Sequence, residues 1–453
     1  MLLPLLIACS SPPAEQTPAE PAARPPDIVL VVVDTLRADH LGVYGHSRPT
    51  SPHIDALARE GAWYSRAYSS SSWTLPSFAS LLTGLFPHQH LVVRDDTDPA
   101  RFGVLQPEVL TLAEALKAQG YSTAAVMNNA FLAPQFHLDQ GFDLYDWQGA
   151  WPTRHRSADD TVSAGLTWLN AQKGPSFLLL HFMEPHMAYA PPEDLRGTFA
   201  PKDSPPLPYP FVPTPQQSSD WMSGRFQPTD EVKDYMGRLY DEEILAVDRA
   251  VGTLSEGLHA RGWEHTALVI TADHGEEHWD HGGFEHGTTL YGELSRVPII
   301  AAGAVPARGE VHTVVQHVDL VAGLLSLAGA PPLAGSRGVN LWSLSDKPGK
   351  PNRVALSEGV LYGEDAVSLV DNTSRVVLRI PSGLAEAWAV DEDGGERRRL
   401  DDAERERAAA RLVPILRALR PDMGPLRVKQ GAEVAGEQAL DQLRALGYID
   451  TPK

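Results

Sequence analysis

The chain has 453 residues, of which 43% are hydrophobic, and its formal net charge is −20. A chain of this length and composition is expected to form one large α/β domain with an appendage, or two domains. The negative charge argues against nucleic acid or an anionic membrane surface as the main partner, because both require basic patches. Anionic small substrates stay compatible with it, because nearby side chains and metals can invert the field within a cleft.

The N-terminal residues suggest a lipid anchor. The single cysteine, Cys9, excludes an internal disulfide and follows the short apolar run LLPLLIA. Residues 6–9 resemble the lipobox of bacterial lipoproteins, in which the cysteine is lipidated, although no Lys or Arg precedes the run. The resemblance implies a signal over residues 1–9 and a lipid-anchored periplasmic or outer-membrane lipoprotein of the bacterial cell envelope. The alternative is an apolar start without a targeting role.

The segment after Cys9 predicts a tether rather than a membrane span. Residues 10–26 are rich in Pro, Ala and Ser, which is typical of a flexible linker. The chain has no apolar run of about 18 residues, so we expect membrane contact only through the lipid at Cys9.

Strand-like and helix-like segments then alternate. Residues 27–33 are continuously apolar and β-branched, as in a central parallel strand that is buried on both faces. Further strands are predicted over 122–127, 177–180, 267–270 and 297–300, and helices over 51–61, 109–120, 162–169, 244–258 and 319–327. The alternation predicts an α/β fold with a mostly parallel central sheet and helices on both faces.

Two regions depart from this alternation. Residues 185–228 contain 11 prolines, which predicts a long insertion that either forms a lid or substrate wall or is partly mobile. After about residue 350, two strand-like segments and a helix predict a small C-terminal α+β subdomain with antiparallel strands. We therefore expect an α/β domain over residues 27–345 and the subdomain over 346–453.

Ionisable residues follow three of the predicted strands. Asp34 follows the first strand, His181 and His186 follow the third, and Asp273 and His274 follow the fourth. Ligands of open α/β sheets bind outside the carboxyl ends of the strands, so we expect these side chains to converge.

Three of these residues are suited to a divalent cation. The carboxylates of Asp34 and Asp273 suit calcium or magnesium, and the imidazole of His274 shifts the preference toward zinc or manganese. Taken alone, Asp34 also fits a turn or cap residue, and the Asp273-His274 pair also fits a surface turn.

Thr74 lies in the stretch SSSWTLPSFASLLTG, where Pro76 favours the first turn of a helix. Free N–H groups and the helix dipole favour an anion at such a terminus. A metal beside the hydroxyl would lower its pKa and activate it as a nucleophile. The alternative is that Thr74 only caps the helix.

Other histidines have possible roles. His186 and His286 could donate a proton or hold a substrate oxygen, whereas we expect His278 to be idle in a solvated loop. A second cation would need more ligands, for which Asp248, His281 and His286 are the candidates.

Motifs after residue 27 resemble, in order, those of the sulfatase family within the alkaline phosphatase superfamily. They are DIVLVVVDTLRADHLGVYG, TLPSFASLLTG, FLLLHFMEPHMAYAPP, TADHGEEHWDHGGFEHGTTLYGELSRVPII and the terminal LDQLRALGYID. The resemblance implies a divalent metal, calcium by family, that is held by Asp34, Thr74, Asp273 and His274. It also implies that Thr74 is the nucleophile, and that His186 and His286 are catalytic and substrate-binding residues.

The chain departs from the family pattern at several positions. A sulfatase nucleophile is a cysteine or serine that is converted to formylglycine within Cys/Ser-x-Pro-x-Arg. Here Thr74 and Phe78 stand at the nucleophile and arginine positions, Thr35 replaces the second aspartate of an Asp-Asp pair, and His286 replaces a common lysine. Threonine cannot become formylglycine by that route, because its β-carbon carries a methyl group. Phosphodiesterases and phosphoethanolamine transferases resemble this threonine arrangement.

The sequence therefore predicts a metal-dependent hydrolase of the sulfatase family that cleaves a sulfate or phosphate ester of a small molecule or glycan. Two alternatives stay open. One is a transferase that moves a phosphoryl-linked head group to an acceptor. The missing transmembrane region argues against this alternative. The other is a non-catalytic protein that binds anionic glycans through a degenerate sulfatase fold.

Overall fold

The computed structural model describes most of the chain from Arg24 onward. The described residues are 24–149, 156–212, 214–344, 353–392 and 394–445, together with Tyr448. The predicted Cys9 signal, all but the end of the linker, and the predicted boundary after residue 345 lie outside them. None of the described helices combines the length and the apolar character that crossing a membrane requires.

The described residues form seventeen strands and eleven α-helices. The strands are β1 (Asp27–Val33), β2 (Ala62–Tyr64), β3 (Ala67–Tyr68), β4 (Ser122–Met127), β5 (Leu144–Trp147), β6 (Ser176–Phe182), β7 (Thr266–Ala272), β8 (Glu277–His278), β9 (Phe284–Glu285), β10 (Ile299–Gly303), β11 (Gly309–Val311), β12 (Val315–Gln316), β13 (Ala355–Glu358), β14 (Asp365–Val370), β15 (Ser374–Ile380), β16 (Ala385–Ala389) and β17 (Arg398–Arg399). The helices are α1 (Pro52–Glu60), α2 (Thr74–Thr83), α3 (Pro87–His90), α4 (Leu112–Ala118), α5 (Ala158–Ala171), α6 (Pro215–Met222), α7 (Asp230–Gly262), α8 (Gly292–Ser295), α9 (His317–Leu327), α10 (Asp402–Leu419) and α11 (Glu437–Ala445).

An eight-stranded sheet lies at the centre, in the order β11-β2-β10-β7-β1-β6-β4-β5. Its strands pair in parallel, except that β10 is antiparallel to both β7 and β2. From Ile28 onward, the even-numbered residues of β1 join one core with α2, α4 and α9, and the odd-numbered residues join a second core with α1, α5 and α7. Because successive side chains of a strand point to opposite faces, a continuous apolar strand is buried between two helical layers. The predicted mostly parallel sheet with helices on both faces is confirmed.

The C-terminal part is a separate five-stranded antiparallel sheet, in the order β13-β14-β15-β16-β17. One apolar stripe of α10 packs on this sheet, and Phe86 and Val318 from the main part complete its core. The predicted antiparallel C-terminal strands are therefore confirmed. The chain then returns to the main part, where Ala439 and Leu443 of α11 join the core that contains α2.

The proline-rich insertion packs on α7. The buried carboxylate of Glu242 accepts backbone hydrogen bonds from Gly197, Phe199 and Ala200 at 2.8–3.0 Å. Three charge-assisted hydrogen bonds to one oxygen fix this stretch of the insertion against the helix.

Asp241, the preceding residue on α7, connects this helix to the segment that follows β1. Its fully buried carboxylate lies 2.7 Å from His40 Nδ1 and 3.1 Å from His46 Nε2, and it also pairs with Arg48. Burial alone would raise the pKa of Asp241, but the hydrogen bonds from the two histidines outweigh it and hold the pKa well below its ordinary value.

Replacing Asp241 by Asn should lower the free energy of unfolding by about 3 kcal/mol, because Arg48 would lose its counter-charge and the partly buried His40 and His46 would lose a fully buried carboxylate partner. Urea denaturation followed by circular dichroism measures this difference. The control is Asp234→Asn, which changes a carboxylate that is 53% exposed on the same helix and should cost no more than about 0.5 kcal/mol. Equal effects of the two substitutions would contradict this account of Asp241.

Candidate active site

Four neighbouring strands bring polar side chains to one edge of the central sheet. Asp34 follows β1, Asp273 follows β7, Asn129 lies two residues beyond β4, and His181 is the penultimate residue of β6. The last residue of β1 pairs with the last residues of both β6 and β7. This register places the carboxyl ends of the strands side by side, where the sequence predicted a ligand site.

Two fully buried carboxylates form the centre of this cluster. Burial raises the pKa of Asp273 well above its ordinary value, and the negative charge of Asp34 adds to the effect. Burial also acts on Asp34, but the contact with His181 holds its pKa well below the ordinary value. Asp34 Oδ1 and Asp273 Oδ2 accept no hydrogen bond from the described residues. Buried carboxylate oxygens without donors are suited to a divalent cation.

His274 presents a free lone pair to both carboxylates. Its Nε2 lies 3.5 Å from Asp273 Oδ2 and 3.7 Å from Asp34 Oδ1. Its Nδ1 lies 2.9 Å from the carbonyl oxygen of Gly275, which can only accept, so Nδ1 carries the proton. Burial lowers the pKa of His274 to about 3, so the imidazole is neutral. A neutral imidazole with a free nitrogen is a metal ligand.

The hydroxyl of Thr74 reaches the same point from α2. Thr74 is the first residue of this helix, and the preceding Trp73 occupies the N-cap position without a side-chain capping bond. Thr74 Oγ1 lies 3.4 Å from His274 Nε2, and Thr74 is only 2% exposed. The hydroxyl therefore contacts the His274 imidazole instead of capping the helix. The structure thus brings together the four predicted ligands, namely Asp34, Thr74, Asp273 and His274.

His186 and His286 lie beside this cluster. The ring centroid of His286 is 4.6 Å from that of His274 and 5.0 Å from that of His186. His186 Nδ1 donates to the carbonyl oxygen of Met187 at 2.6 Å, whereas its Nε2 has no partner among the described residues. Burial lowers the pKa of both histidines, so both are neutral while no anion is bound.

Three further residues of the site had no predicted role. Asn129 Nδ2 donates to Asp34 Oδ2 at 2.7 Å, and His181 Nε2 lies 3.3 Å from the same oxygen. Glu276 Oε1 lies 2.9 Å from His286 Nδ1, and burial raises the pKa of Glu276 to about 8. The strand-end rule would have found Asn129, because it follows the predicted strand over 122–127.

Other candidates lie outside the cluster. Asp248 accepts hydrogen bonds from two backbone N–H groups at the start of α1, and His281 Nδ1 lies 2.7 Å from Glu293 Oε1. Among the described residues, neither Asp248 nor His281 belongs to a cluster of potential metal ligands. The expectation of an idle, solvated His278 is wrong, because its Nε2 lies 2.8 Å from the Tyr189 hydroxyl and its ring packs on Tyr240.

A model of the Sulfatase family matches residues 26–330, which is more than half of the chain. The chain belongs to the sulfatase family. Arylsulfatase A of Homo sapiens is 31% identical over 373 residues, covering 74% of this chain and 70% of that protein. The Delta 4,5-hexuronate-2-O-sulfatase of Bacteroides thetaiotaomicron is 23% identical over 368 residues, covering 71% of this chain and 72% of its own. The predicted sulfatase membership, within the alkaline phosphatase superfamily, is confirmed, and the chain is an ester hydrolase by family.

Solved structures share the fold of this sulfatase-family chain. The phosphonate monoester hydrolase of Agrobacterium radiobacter has a TM-score of 0.68 at 19% identity, covering 87% of this chain and 95% of that one. A structure in complex with its substrate D-glucosamine-2-N,6-O-disulfate also has a TM-score of 0.68, at 17% identity, covering 90% of this chain and 100% of that one. At these identities the likeness shows the fold alone.

Substitution of Asn129 tests the importance of its hydrogen bond to Asp34. The substitution Asn129→Asp keeps an oxygen that can accept the hydrogen bond from Phe131 N–H. It replaces the amide group that donates to Asp34 by a second carboxylate oxygen, so that two like charges face each other. Loss of such a supporting contact should reduce cation affinity or esterase activity by roughly 10–100-fold. Isothermal titration with divalent cations checks the result. The control is Asn340→Asp at another turn remote from the site, which should leave affinity unchanged.

Proposed function

We propose that the chain hydrolyses a sulfate or phosphate ester, with Thr74 as the nucleophile at a divalent cation site formed by Asp34, Thr74, Asp273 and His274. The observation that carries the proposal is the position of the buried Thr74 hydroxyl. It lies at a helix N-terminus, 3.4 Å from a neutral imidazole that also faces two buried carboxylates. This is the arrangement that an activated hydroxyl nucleophile requires.

The residues present fit a divalent cation. The centre offers unpartnered oxygens of Asp34 and Asp273 and the free nitrogen of His274, all without exposure to solvent. A bound cation supplies positive charge that lowers the pKa of the Thr74 hydroxyl and offsets the charge of the ester. Calcium follows from the family resemblance, and the imidazole ligand makes zinc or manganese the alternatives.

Thr74 Oγ1 then attacks the sulfur or phosphorus atom as its proton passes to one of the neutral histidines beside the cluster, His186 or His286. A bond forms between Oγ1 and that atom, the bond to the leaving oxygen breaks, and the leaving oxygen keeps the electron pair and takes a proton. Water must release the resulting Thr74 ester by attack at sulfur or phosphorus, because threonine has no second hydroxyl for elimination. Such a release fits phosphoryl chemistry more naturally than sulfate hydrolysis.

His186 and His286 act on the oxygens of the ester. Burial keeps both neutral while the site is free of anions, and a bound anion raises the pKa of a nearby imidazole. Protonated histidines then donate to the equatorial oxygens or to the leaving oxygen. Glu276 orients His286 through the contact at Nδ1, which leaves Nε2 of His286 for the substrate.

Replacing Thr74 tests the proposed function. Aryl sulfate, aryl phosphate and phosphodiester substrates are assayed with calcium, magnesium, manganese and zinc, before and after chelation. Thr74→Ala should lower turnover of the accepted ester by at least about 10³-fold, because the attacking oxygen is lost. Thr74→Ser should retain part of the activity, because it restores the hydroxyl.

The matched control is Thr83→Ala, which removes a buried hydroxyl at the other end of the same helix and should leave turnover intact. Full activity of Thr74→Ala would contradict the nucleophile. Transfer of a phosphoryl-linked group to an added alcohol would instead indicate a transferase. Binding of sulfated glycans by both wild type and Thr74→Ala, with no turnover of any ester, would indicate a non-catalytic binding protein.

We also propose that Cys9 is lipidated and anchors the chain to the bacterial cell envelope, which the Leu6-Ile7-Ala8-Cys9 sequence supports. Mass spectrometry of the chain expressed in a bacterium should find an acylated mature N-terminus at Cys9, and Cys9→Ala should remain unacylated. An intact, unmodified Met1 on the wild-type chain would contradict the anchor.

A further inference from the structure

His181 is a buried imidazole to which the reaction described above gives no role. The residue has no solvent exposure, its Nδ1 has no hydrogen-bond partner among the described residues, and its Nε2 has only the contact with Asp34 Oδ2 at 3.3 Å. A polar group left buried without a partner costs roughly 1–3 kcal/mol. A bound ligand that contacts the imidazole would remove this cost.

The surroundings of His181 hold its ring toward the carboxylates. Asn128 donates a hydrogen bond to the main-chain carbonyl of His181, which fixes the backbone at the end of β6. The ring of Phe78 packs against the imidazole at an interplanar angle of 68°, with centroids 5.3 Å apart. His181 Nε2 lies 3.3 Å from Asp34 Oδ2.

The nitrogen of His181 lies within reach of a shared ion. One ligand atom each from Asp34, His181 and Asp273 lie within 4.8 Å of one another. Two ligand atoms that lie about 2.1 Å from a tetrahedral zinc ion are about 3.4 Å from each other. Small side-chain rotations would therefore bring the ligand atoms of Asp34, His181 and Asp273 to this separation around one cation. Asp34 therefore lies between two imidazoles, with Oδ1 toward His274 and Oδ2 toward His181.

We propose that His181 is a further ligand of the cation, so that two imidazoles join two carboxylates and the Thr74 hydroxyl around it and the site selects Zn²⁺ or Mn²⁺ over Ca²⁺. The inference rests on the cation site of the proposed function and deepens it. Calcium takes oxygen ligands at 6–8 positions, whereas imidazole nitrogen suits zinc and related cations. Two nitrogens in a closed, buried site therefore oppose calcium.

Metal affinity of the full chain tests this without any measurement of turnover. Zn²⁺ and Ca²⁺ are titrated separately into metal-free protein by isothermal calorimetry. Zn²⁺ should bind the wild type at least about 100-fold more tightly than Ca²⁺. Loss of a residue that only supports a metal ligand weakens metal binding by roughly 10–100-fold. His181→Gln should weaken Zn²⁺ binding by more than this, whereas its Ca²⁺ affinity should change little. The control His90→Gln, at another buried histidine, should bind Zn²⁺ as the wild type does.

X-ray absorption at the zinc edge provides a second readout that does not depend on any variant. Two coordinated imidazoles in the wild type support the inference, and a single imidazole overturns it. Unchanged Zn²⁺ affinity in a folded His181→Gln, or preferential binding of Ca²⁺ by the wild type, overturns it as well. Two imidazoles on zinc in a protein without Thr74-dependent turnover would leave this inference standing while the proposed function fails.

Discussion

The proximity of two buried carboxylates, Asp34 and Asp273, is the constraint around which the site is built. The parallel register of β1 and β7 fixes it, because the last residues of the two strands are paired and each aspartate comes next. Two like charges removed from water cannot both stay ionised without a compensating charge, and their pKa values accordingly move in opposite directions. A cation removes this conflict. The neutral imidazole of His274, whose Nε2 is unprotonated, offers such a cation a nitrogen ligand.

The C-terminal sheet contributes to the site by holding the loop that leads into Thr74. Glu358 N–H donates to the carbonyl oxygen of Ser70 at 2.9 Å, and Ser357 Oγ donates to that of Ser69 at 2.7 Å. Gly287, next to His286, donates to the carbonyl oxygen of Ser72 at 3.1 Å. The hydroxyl of Thr74 and the imidazole of His286 are therefore positioned by one hydrogen-bonded layer. The C-terminal strands are thus part of the scaffold of the site.

Periodicity predicted the elements of the fold well, because each is locally specified. The apolar run of β1 and the Pro76 helix start needed only neighbouring residues, and the strand-end rule then brought Asp34, Asp273 and His274 together. The same rule placed His181 at this edge of the sheet, but its contact with Asp34 depends on a strand register that no local pattern contains. Val32 of β1 pairs with His181 of β6, so the imidazole arrives beside Asp34 only once the two strands are aligned. Its burial without a partner is visible only in the folded chain.

The departures from the family pattern are consistent with one another in physical terms. Thr35 and Phe78 remove one carboxylate and one guanidinium of the pattern, and the formal charges of these two changes cancel. Phe78 instead packs its ring on the imidazole of His181, with centroids 5.3 Å apart. Thr74, Phe78 and the buried His181 thus lie in one cluster, through the contacts of Thr74 with His274, of His274 and His181 with Asp34, and of Phe78 with His181.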